Sequence, residues 1–577
     1  MKRFALVLVC LLLAAGSAFA SVKNPDTLTV VHANTTITLD PGTCYSSTAF
    51  GKIQNIYEPL IFFKGSTTDE FVPVLATEVP TKANGGISGD GTVYTFKIRK
   101  GVKFHNGNDL TPEDVAYTLK RAMIIDQNGG PSWMLLEALF DIGSTRGDDG
   151  KMIPGVAERI DKAVTVKGDT VSIKLDRPFP PFLAILCYSN GYIIDKEWAI
   201  ENGCWDGTVA NAAKYNNPNV GSEPLHHKVN GTGPYRLAEW EPSVRMVFTR
   251  NDNYWGDRPE VKTAVYQIVN EWSTRKLMLQ NGDVDRAQVD DTYVSEAMDM
   301  QDVAFFQSPE LTMFAAFLNQ DVVAKGNPYS GSGKLDGQGI PHDFLADVNV
   351  RKAFAHCFDR ETYKQDVFEG RTILPTSPVI EGLPYHKDVP VHGFDLEKAA
   401  EYMKKAFGGK VWEKGFKMNI IYFSGKTTCE AAALMLAENM NSLNPKFKVE
   451  VLDVSLKDFN SLYRQRVFPI FITGWGADYP DPHNFAQPFM HSMGAYGKAS
   501  SLHDDEVDAL IEKGIAVVDP DERRTIYERL QDVYYEKALG IPLFQPTQFR
   551  AYRSWVQGYV PHPMTTDAME KFYELRK

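Results

Sequence analysis

Beyond its first twenty residues, the 577-residue sequence contains no long apolar run. A membrane-spanning helix needs roughly 18 consecutive apolar residues, and every later apolar run is shorter. The sequence also lacks blocks of like charge, since its 61 basic and 73 acidic residues are interspersed and give a formal net charge of −12. Such a pattern is not typical of proteins that bind nucleic acid, and no basic amphipathic stretch indicates a membrane surface. We therefore expect a soluble protein that binds no nucleic acid.

Several catalytic and metal-binding motifs are missing as well. The sequence contains neither a GxSxG nucleophile elbow nor an HExxH zinc motif. The segment GTGPYRL (231–237) lacks the GxxxxGK[ST] spacing of a phosphate-binding loop, so we interpret it as a tight turn before a strand. His226 and His227 are adjacent, and adjacent imidazoles on a strand point apart and rarely bind one metal together. We predict no metal site and no cofactor.

Cysteine is scarce, with six residues in all and five after residue 20. None of them has CxxC or Cys/His zinc spacing. In an oxidising compartment disulfides form, and Cys187 with Cys204 is the pair that we expect because the two are close in sequence. A second candidate pair is Cys357 with Cys429, which would leave Cys44 free. The alternative is that several of the five are small buried side chains.

The N-terminus has the pattern of a secretory signal peptide. Lys2 and Arg3 precede the apolar run FALVLVCLLLAA (4–15), and Ala18-Phe19-Ala20 forms a small-residue cleavage site. Cys10 lies inside the apolar run, so it does not resemble a lipid-attachment cysteine. We predict cleavage after Ala20 and export to the periplasm, with a mature charge of −14 after loss of the two basic residues. The alternative is a membrane anchor.

Helix and strand patterns alternate along the chain and predict a mixed α/β or α+β protein. Apolar residues alternate with polar ones in TVYTFKIRK (92–100) and TVSIKLDR (170–177), which predicts two half-buried strands. Helix starts are predicted at Thr111-Pro112, Asp395 and Asp519-Pro520, where a capping residue precedes an apolar stripe. The turn-rich segments 205–230 and 325–341 are predicted loops.

One short segment, GWGADYPDPHNF (474–485), combines a tryptophan, two aspartates and two prolines directly after the apolar run VFPIFIT (467–473). The apolar run predicts a buried strand, and the prolines restrict the loop that follows it. Glycines on either side of Trp475 allow close approach of the backbone. From the residues alone, Asp478 and Asp481 are either turn formers that bond nearby backbone N–H groups or members of a functional site.

Six segments in the order in which they occur identify the chain with one protein family, although none is decisive alone. They are VYTFKIRKGVKFHNGNDLTPEDVAYTLKRA (93–122), GTGPYRL followed by RNDNYWG (231–256), LMLQNGDVDRAQV (277–289), DVNVRKAFAHCFDRETYKQDVFEG (347–370), GWGADYPDP (474–482) and the closing segment from DDEVDAL to IPLFQ (504–545).

In this order, the segments resemble the family 5 solute-binding proteins of ABC importers, the dipeptide-, oligopeptide- and nickel-binding class. The resemblance covers essentially the whole mature chain. It implies a large, class II-like periplasmic-binding-protein fold of the α/β class, with two lobes and an extra third domain. The implied division is a signal peptide (1–20), domain I (21–61, 222–306 and 541–577), domain II packed on it (62–221) and domain III (307–540). Two strands that cross between the lobes would act as the hinge.

The resemblance also implies a ligand site. In oligopeptide-binding members, the Asp of the matching W-x-A-D segment binds the α-ammonium of the ligand, and that position falls on Asp478, with Trp475 and Tyr479 lining the pocket. Tyr45 and Ser46 lie in the loop DPGTCYSSTAFG (40–51), which we place at the domain I side of the cleft, with ordinary loop residues as the alternative. Asp481 is interpreted as structural.

A partner for a ligand carboxylate is not singled out by any motif. Arg464 and Arg466 are candidates because arginine binds carboxylates bidentately, but both also fit exposed surface cations.

The function implied is that of a monomeric periplasmic receptor, not an enzyme, that delivers a small solute to an inner-membrane permease. A peptide is the first choice, and nickel chelates, haem, sugars and opines are alternatives. A secreted hydrolase that uses Asp478 and Asp481 as acid and base is the rival hypothesis. Against it, both residues lie on one short turn, whereas such pairs face each other across a cleft.

Overall fold

The computed structural model describes residues 22–323 and 326–577. The predicted signal peptide therefore lies outside the described residues. No helix in the described part of the chain is long and apolar enough to cross a membrane. The described chain forms four β-sheets with helices packed around them, and the two largest sheets each organise one lobe.

The first large sheet has seven strands from distant parts of the sequence. Its central strand, Thr27–His32, pairs in parallel with Thr263–Ile268 on one side and Arg286–Ala287 on the other. The strands, in spatial order, are Val303–Pro309, Thr547–Arg553, Arg286–Ala287, Thr27–His32, Thr263–Ile268, Arg245–Arg250 and Tyr235–Glu241.

The second large sheet has five strands. Its central strand, Ile470–Gly476, pairs in parallel with Phe416–Phe423 and antiparallel with Thr312–Leu318. The strands, in spatial order, are Phe447–Val454, Phe416–Phe423, Ile470–Gly476, Thr312–Leu318 and Gly540–Phe544. The predicted strand before the Trp-Asp-Pro loop is confirmed, and it is buried along 470–473 because helices cover both faces of this sheet.

Two smaller sheets pack beside the first lobe. The alternating segments predicted as strands form Val93–Lys97 and Thr170–Lys174, which pair antiparallel with each other, and Val164–Lys167 completes a three-stranded sheet. Their apolar residues face one core because side chains alternate across a strand. Strands Ile61–Phe63 and Phe71–Pro73 form a hairpin.

The helices begin where the capping residues predict. The backbone N–H of Thr111 donates to the Asp114 carboxylate at 2.8 Å, and Pro112 is the first helical residue. Asp395 and Asp519 accept hydrogen bonds from the first turns of their helices. The α-helices of the described chain are Ser47–Ile56, Pro112–Ile125, Ser132–Phe140, Val156–Ala163, Phe182–Ile185, Lys196–Glu201, Ala212–Tyr215, Trp272–Gln280, Val294–Met298, Val348–His356, Arg360–Phe368, Leu396–Lys405, Lys410–Lys414, Thr427–Leu443, Leu456–Leu462, His483–Met490, Ala495–Ala499, Asp505–Ala516 and Pro520–Glu536.

The chain passes between the two large sheets at two adjacent points. Strand Val303–Pro309 of the first sheet continues into Thr312–Leu318 of the second, and strand Gly540–Phe544 of the second continues into Thr547–Arg553 of the first. The two crossings are bonded to each other, since the N–H of Glu310 donates to the carbonyl of Pro546 at 3.0 Å. The short crossings leave few backbone positions at which the lobes can rotate, as in a hinge.

The division of the chain into three domains stays a prediction. The seven-stranded sheet takes its strands from 27–32, 235–309 and 547–553, and the five-stranded sheet takes its strands from 312–544. The small sheets lie between residues 61 and 174. The change from the second sheet back to the first therefore falls at residues 545–546 of the described chain.

The expected disulfides are wrong. All five described cysteines are buried and unpaired. The thiol of Cys187 donates to the carbonyl of Ile61 at 3.5 Å, while Cys204 lies near the guanidinium of Arg121. Cys357 and Cys429 are likewise separate buried side chains in the core of the second lobe. Closeness in sequence does not set the Cα geometry that a disulfide requires, so the buried-side-chain alternative holds.

Candidate ligand-binding site

The Trp-Asp-Pro loop begins at the end of the central strand Ile470–Gly476. A Cβ atom on Gly474 would lie 2.8 Å from the ring of Phe314 on the neighbouring strand, so only glycine fits there. The N–H of Ala477 still donates to the carbonyl of Leu311 at 2.7 Å, which extends the pairing by one residue. The loop therefore leaves the sheet directly beside the crossing at residues 310–311, where the two lobes meet.

Asn484 holds the loop in one shape. Its Oδ1 atom accepts hydrogen bonds from the backbone N–H of Asp478 at 2.9 Å and from the indole Nε1 of Trp475 at 3.2 Å. The hydroxyl of Tyr496 donates to the carbonyl of Gly474 at 2.7 Å. Together with the two prolines of the loop, these bonds orient Trp475 and Asp478 before any ligand arrives.

Asp481 is part of the fold, as predicted. Its two carboxylate oxygens accept hydrogen bonds from the guanidinium of Arg523, both at 2.9 Å, and Oδ1 also accepts from the N–H of His483. Arg523 in turn donates from Nε to the carbonyl of Gly514 at 2.9 Å. This buried bidentate pair ties the loop to helix Pro520–Glu536 and leaves Asp481 no part in proton transfer.

Asp478 is buried to a similar extent but has no cation. Asp478 is 7% exposed, and its Oδ2 atom has no hydrogen-bond partner. No lysine, arginine or histidine of the described chain lies within ion-pair distance of its carboxylate. Burial raises the pKa of Asp478 to about 7, although the nearby Tyr45 hydroxyl and Asn484 side chain lower it and Glu137 raises it further. An ammonium group would supply the missing partner.

Tyr45 approaches Asp478 from the first lobe. It lies in the loop that precedes helix Ser47–Ile56, its ring packs edge-on against Tyr188, and its hydroxyl accepts a hydrogen bond from Trp133 at 3.3 Å. Burial, and then the nearby Asp478 carboxylate, raise the pKa of Tyr45, so the structure brings these two side chains together. Ser46 is half-buried, and its carbonyl accepts the first hydrogen bond of the helix, from the N–H of Phe50 at 2.9 Å. No contact in the described chain joins Ser46 to Asp478.

A cavity of about 180 Å³ lies next to Asp478, between helix Ser132–Phe140 and the loop and helix that follow the central strand. Trp475 and Tyr479 line it, as does Asn484. Tyr479 is 1% exposed and packs into the large core that also contains the three-stranded sheet. Trp475, Tyr479, Asp478 and Tyr45 thus meet where the two halves of the molecule face each other.

The arrangement can hold an organic cation. A buried carboxylate without a cation lies close to a phenol and an indole, and the second carboxylate of the loop is bound by Arg523. Within the described residues no group of three or more His, Cys, Asp or Glu side chains is placed to hold a metal ion.

Comparison with protein families identifies the chain. The model of the bacterial extracellular solute-binding proteins, family 5 Middle, matches residues 70–497. The chain belongs to this family. Its members bind solutes, and in this family 5 protein Asp478 lies beside the crossing where the two lobes meet.

Individual relatives extend the similarity over nearly the whole chain. The chain is 26% identical over 526 residues to the dipeptide-binding protein of Escherichia coli K12, covering 88% of this chain and 87% of that protein. It is 24% identical over 539 residues to haem-binding protein A of Haemophilus influenzae, covering 91% and 87%. The periplasmic binding protein DppA of Helicobacter pylori, solved with the peptide STSA, superposes with a TM-score of 0.67 at 22% identity, covering 95% of this chain and 98% of that one.

These structural matches confirm the predicted fold class. This family 5 protein has the α/β, two-lobed architecture of periplasmic binding proteins, with additional sheets beside the first lobe.

Four residues around the site were not predicted from the sequence: Trp133, Glu137, Asn484 and Arg523. Trp133 and Glu137 are four residues apart on helix Ser132–Phe140, and they are its only half-buried residues, the other seven being buried. Residues at this spacing share one face of a helix, so a Trp and a Glu four apart in an otherwise apolar segment could have indicated these two positions from the sequence. Asn484 and Arg523 carry no such signal.

The candidate carboxylate partners of the sequence lie elsewhere. Arg464 is exposed and donates from Nε to the hydroxyl of Tyr463 at 3.2 Å, and Arg466 lies 3.7 Å from Asp321. Neither lines the cavity beside Asp478.

His226 and His227 pack edge-to-face with ring centroids 4.2 Å apart.

Proposed function

We propose that this chain is the substrate-binding protein of an ABC importer and that it captures a peptide by its free amino terminus, with Asp478 as the counter-ion of the α-ammonium group. One observation carries the proposal: a buried carboxylate at the meeting of the two lobes has neither a cation nor a full set of hydrogen-bond donors. An uncompensated buried charge is costly, and an ammonium ligand removes that cost.

The lobes contribute differently to the same contact. The second lobe supplies Asp478 and Trp475 on a rigid loop, and the first supplies Tyr45 and Trp133 from the opposite side. A ligand that touches both sets stabilises the closed arrangement, whereas a ligand that touches one set does not. Water is excluded at closure, which strengthens the ion pair relative to the same pair in solvent.

The names of the relatives support a peptide as the solute. One is a dipeptide-binding protein and one structural neighbour holds a bound peptide, whereas a third relative is a haem-binding protein. Asp478 favours the first class, because haem has no ammonium group to meet a buried carboxylate. The protein then acts as an exported, monomeric receptor for a membrane permease.

The receptor performs no chemistry on its ligand. A hydrolase of the acid–base type needs two carboxylates that act on one bond, but the Asp481 carboxylate is occupied by Arg523 and the N–H of His483. Asp478 alone supplies binding and not an acid–base pair.

Titration calorimetry with matched peptides tests the proposal. The wild-type protein should bind a dipeptide such as Leu-Ala and bind its N-acetyl form at least about 30-fold more weakly, since the loss of a buried charge partner costs roughly 2–5 kcal/mol. Asp478→Asn should weaken Leu-Ala binding by a similar factor and leave the weak binding of N-acetyl-Leu-Ala unchanged. Asp388→Asn, at a carboxylate that is 90% exposed, is the matched control and should bind as the wild type does.

Three results would contradict the proposal. Equal losses for the free and acetylated peptides in Asp478→Asn would make this residue structural. Binding of N-acetyl peptides as tight as that of free peptides would exclude recognition of the amino terminus. Cleavage of the peptide during incubation, followed by chromatography, would show an enzyme and not a receptor.

A further inference from the structure

The cavity beside Asp478 has one wall from each half of the molecule. Trp133 and Glu137 project into it from helix Ser132–Phe140, and Trp475, Tyr479 and His483 line the other side. Its volume of about 180 Å³ is several times that of a water molecule, roughly 30 Å³, so it has room for a long amino-acid side chain. Asp478 itself does not line the cavity, but it directly precedes the lining residue Tyr479, and its backbone N–H donates to the lining residue Asn484 at 2.9 Å. A ligand held by its ammonium group at Asp478 would therefore have this cavity beside its first side chain.

Glu137 is the one carboxylate that lines this cavity, and the lining contains no lysine or arginine. The nearest basic group in the described chain is the imidazole of His483, whose Nε2 atom lies 3.7 Å from Glu137 Oε1. In the described chain no side chain donates a hydrogen bond to the Glu137 carboxylate, and the side chain of Glu137 is 21% exposed. After burial, the charge of Glu137 also raises the pKa of Asp478, so the two carboxylates lie near each other.

The aromatic walls suit a positive charge as well. Trp133 and Trp475 both line the cavity, and indole rings attract ammonium and guanidinium groups through the negative faces of their π systems. The aliphatic stem of a lysine or arginine packs against such rings while its charged end reaches a carboxylate. An acidic side chain would meet Glu137 without any lysine or arginine to compensate it.

We propose that this cavity receives the side chain of the ligand's first residue and that Glu137 selects peptides that begin with lysine or arginine. The inference rests on the proposed function, since it needs the amino terminus of the peptide at Asp478. It assigns the substrate class more narrowly: peptides with two positive charges on their first residue, one for Asp478 and one for Glu137.

Glu137 also has a simpler role open to it. Its contact with His483 joins the two sides of the cavity, so Glu137 could act only in closing the lobes. A closing contact affects all ligands alike, whereas a contact with the ligand's side chain affects basic peptides alone. The comparison of peptides with different first residues separates the two roles.

Calorimetry on the full mature chain with Lys-Ala, Leu-Ala and Glu-Ala tests this inference. The wild-type protein should bind Lys-Ala about tenfold more tightly than Leu-Ala, and Glu-Ala more weakly than either. Glu137→Gln should remove the tenfold preference and keep the Leu-Ala affinity within about twofold. Glu158→Gln, at an exposed glutamate of the neighbouring helix Val156–Ala163, removes the same charge from the same part of the molecule and should retain the preference.

The outcomes separate this inference from the proposed function. If Leu-Ala binds and Lys-Ala binds no more tightly, selection by Glu137 is overturned while peptide binding stands. If Glu137→Gln weakens Lys-Ala and Leu-Ala by the same factor, Glu137 is a closing contact and the inference is overturned. If none of the three peptides binds, both proposals fail. Because glutamine is close in shape to glutamate, we expect the variant to melt as the wild type does; should it not, a conservative Glu137→Asp variant must retain a reduced preference for Lys-Ala.

Discussion

The loop 477–482 contains two buried carboxylates, one with a cation beside it and one without. Asp478 and Asp481 are three residues apart and are 7% and 6% exposed, so each buries a carboxylate. Asp481 is held by both nitrogens of the Arg523 fork, whereas Asp478 has no cation and one oxygen without a hydrogen bond. The difference indicates that burial alone does not identify a structural carboxylate; the presence or absence of a partner does.

Two other buried acids, Asp40 and Glu58, resemble Asp481 and not Asp478 in having partners for their oxygens. Asp40 is paired with Arg121 through two hydrogen bonds of 2.8 and 2.5 Å. Glu58 has no cation, but its oxygens accept from Tyr254, Trp255 and Thr232. These two carboxylates are thus satisfied by a cation or by neutral donors, whereas Asp478, where the lobes meet, has one oxygen with neither. This contrast, together with the position of Asp478, is the physical basis for assigning it to a ligand.

The largest effect that the comparison predicts is on stability. Asp481→Asn should lower the free energy of unfolding by about 3–5 kcal/mol, because it leaves Arg523 buried and uncompensated. Asp478→Asn at pH 7 should not destabilise the ligand-free protein, because that carboxylate has no cation to lose and the variant removes a buried charge. Urea unfolding, followed by tryptophan fluorescence, measures both.

The double variant Asp481→Asn/Arg523→Met is the control for that experiment. Removal of both charges should cost less than removal of one, since no buried charge is then left unpaired. If Asp481→Asn proves as stable as the wild type, or if Asp478→Asn loses as much as Asp481→Asn, the contrast between the two aspartates is wrong.

A smaller effect concerns the pH dependence of stability. Burial raises the pKa of Asp478 to about 7 in the folded protein, above its value of 3.8 in an unfolded chain. Between these values the folded state binds the proton more tightly than the unfolded state, so this group makes the protein less stable as pH rises. Relative to Asp478→Asn, the ligand-free wild type should lose about 2–4 kcal/mol of unfolding free energy between pH 4 and pH 8.

Urea midpoints of the two proteins across that pH range check the prediction. A difference between wild type and variant that stays constant with pH would show that Asp478 ionises as an exposed carboxyl does. A wild type that gains stability relative to the variant as pH rises would reverse the sign and indicate an unrecognised cation at Asp478.

Local patterns were sufficient to predict several strands and helix starts, although the predicted loop 205–230 contains the short helix Ala212–Tyr215. Two strands were predicted from the alternation in 92–100 and 170–177, and one helix start from the proline after Thr111. Each of these signals acts within a few residues of the element that it determines. The position of Asp478 at the end of a buried strand was predicted in the same way. The resemblance to a family then supplied the arrangement of lobes, which local patterns do not specify.

The long-range contacts could not be predicted in this way. Arg523 lies 42 residues after Asp481 in sequence, and Glu137 belongs to a different part of the chain from His483. The Cys187–Cys204 prediction failed for the same reason, since 17 residues of separation did not bring the two thiols together in the core. The predicted roles of Trp475, Tyr479, Tyr45 and Ser46 as ligand contacts remain predictions.

The central claim is that the Asp478 carboxylate is reserved for the ammonium group of a ligand, and proton release on binding tests it most directly. At pH 6 the empty site holds a proton on Asp478, whose pKa is about 7, and an ammonium ligand expels it. Calorimetry of Leu-Ala binding at pH 6, in buffers that differ in their heat of ionisation, should show release of close to one proton by the wild type and almost none by Asp478→Asn. Binding without proton release, or the same release by both proteins, would contradict the account.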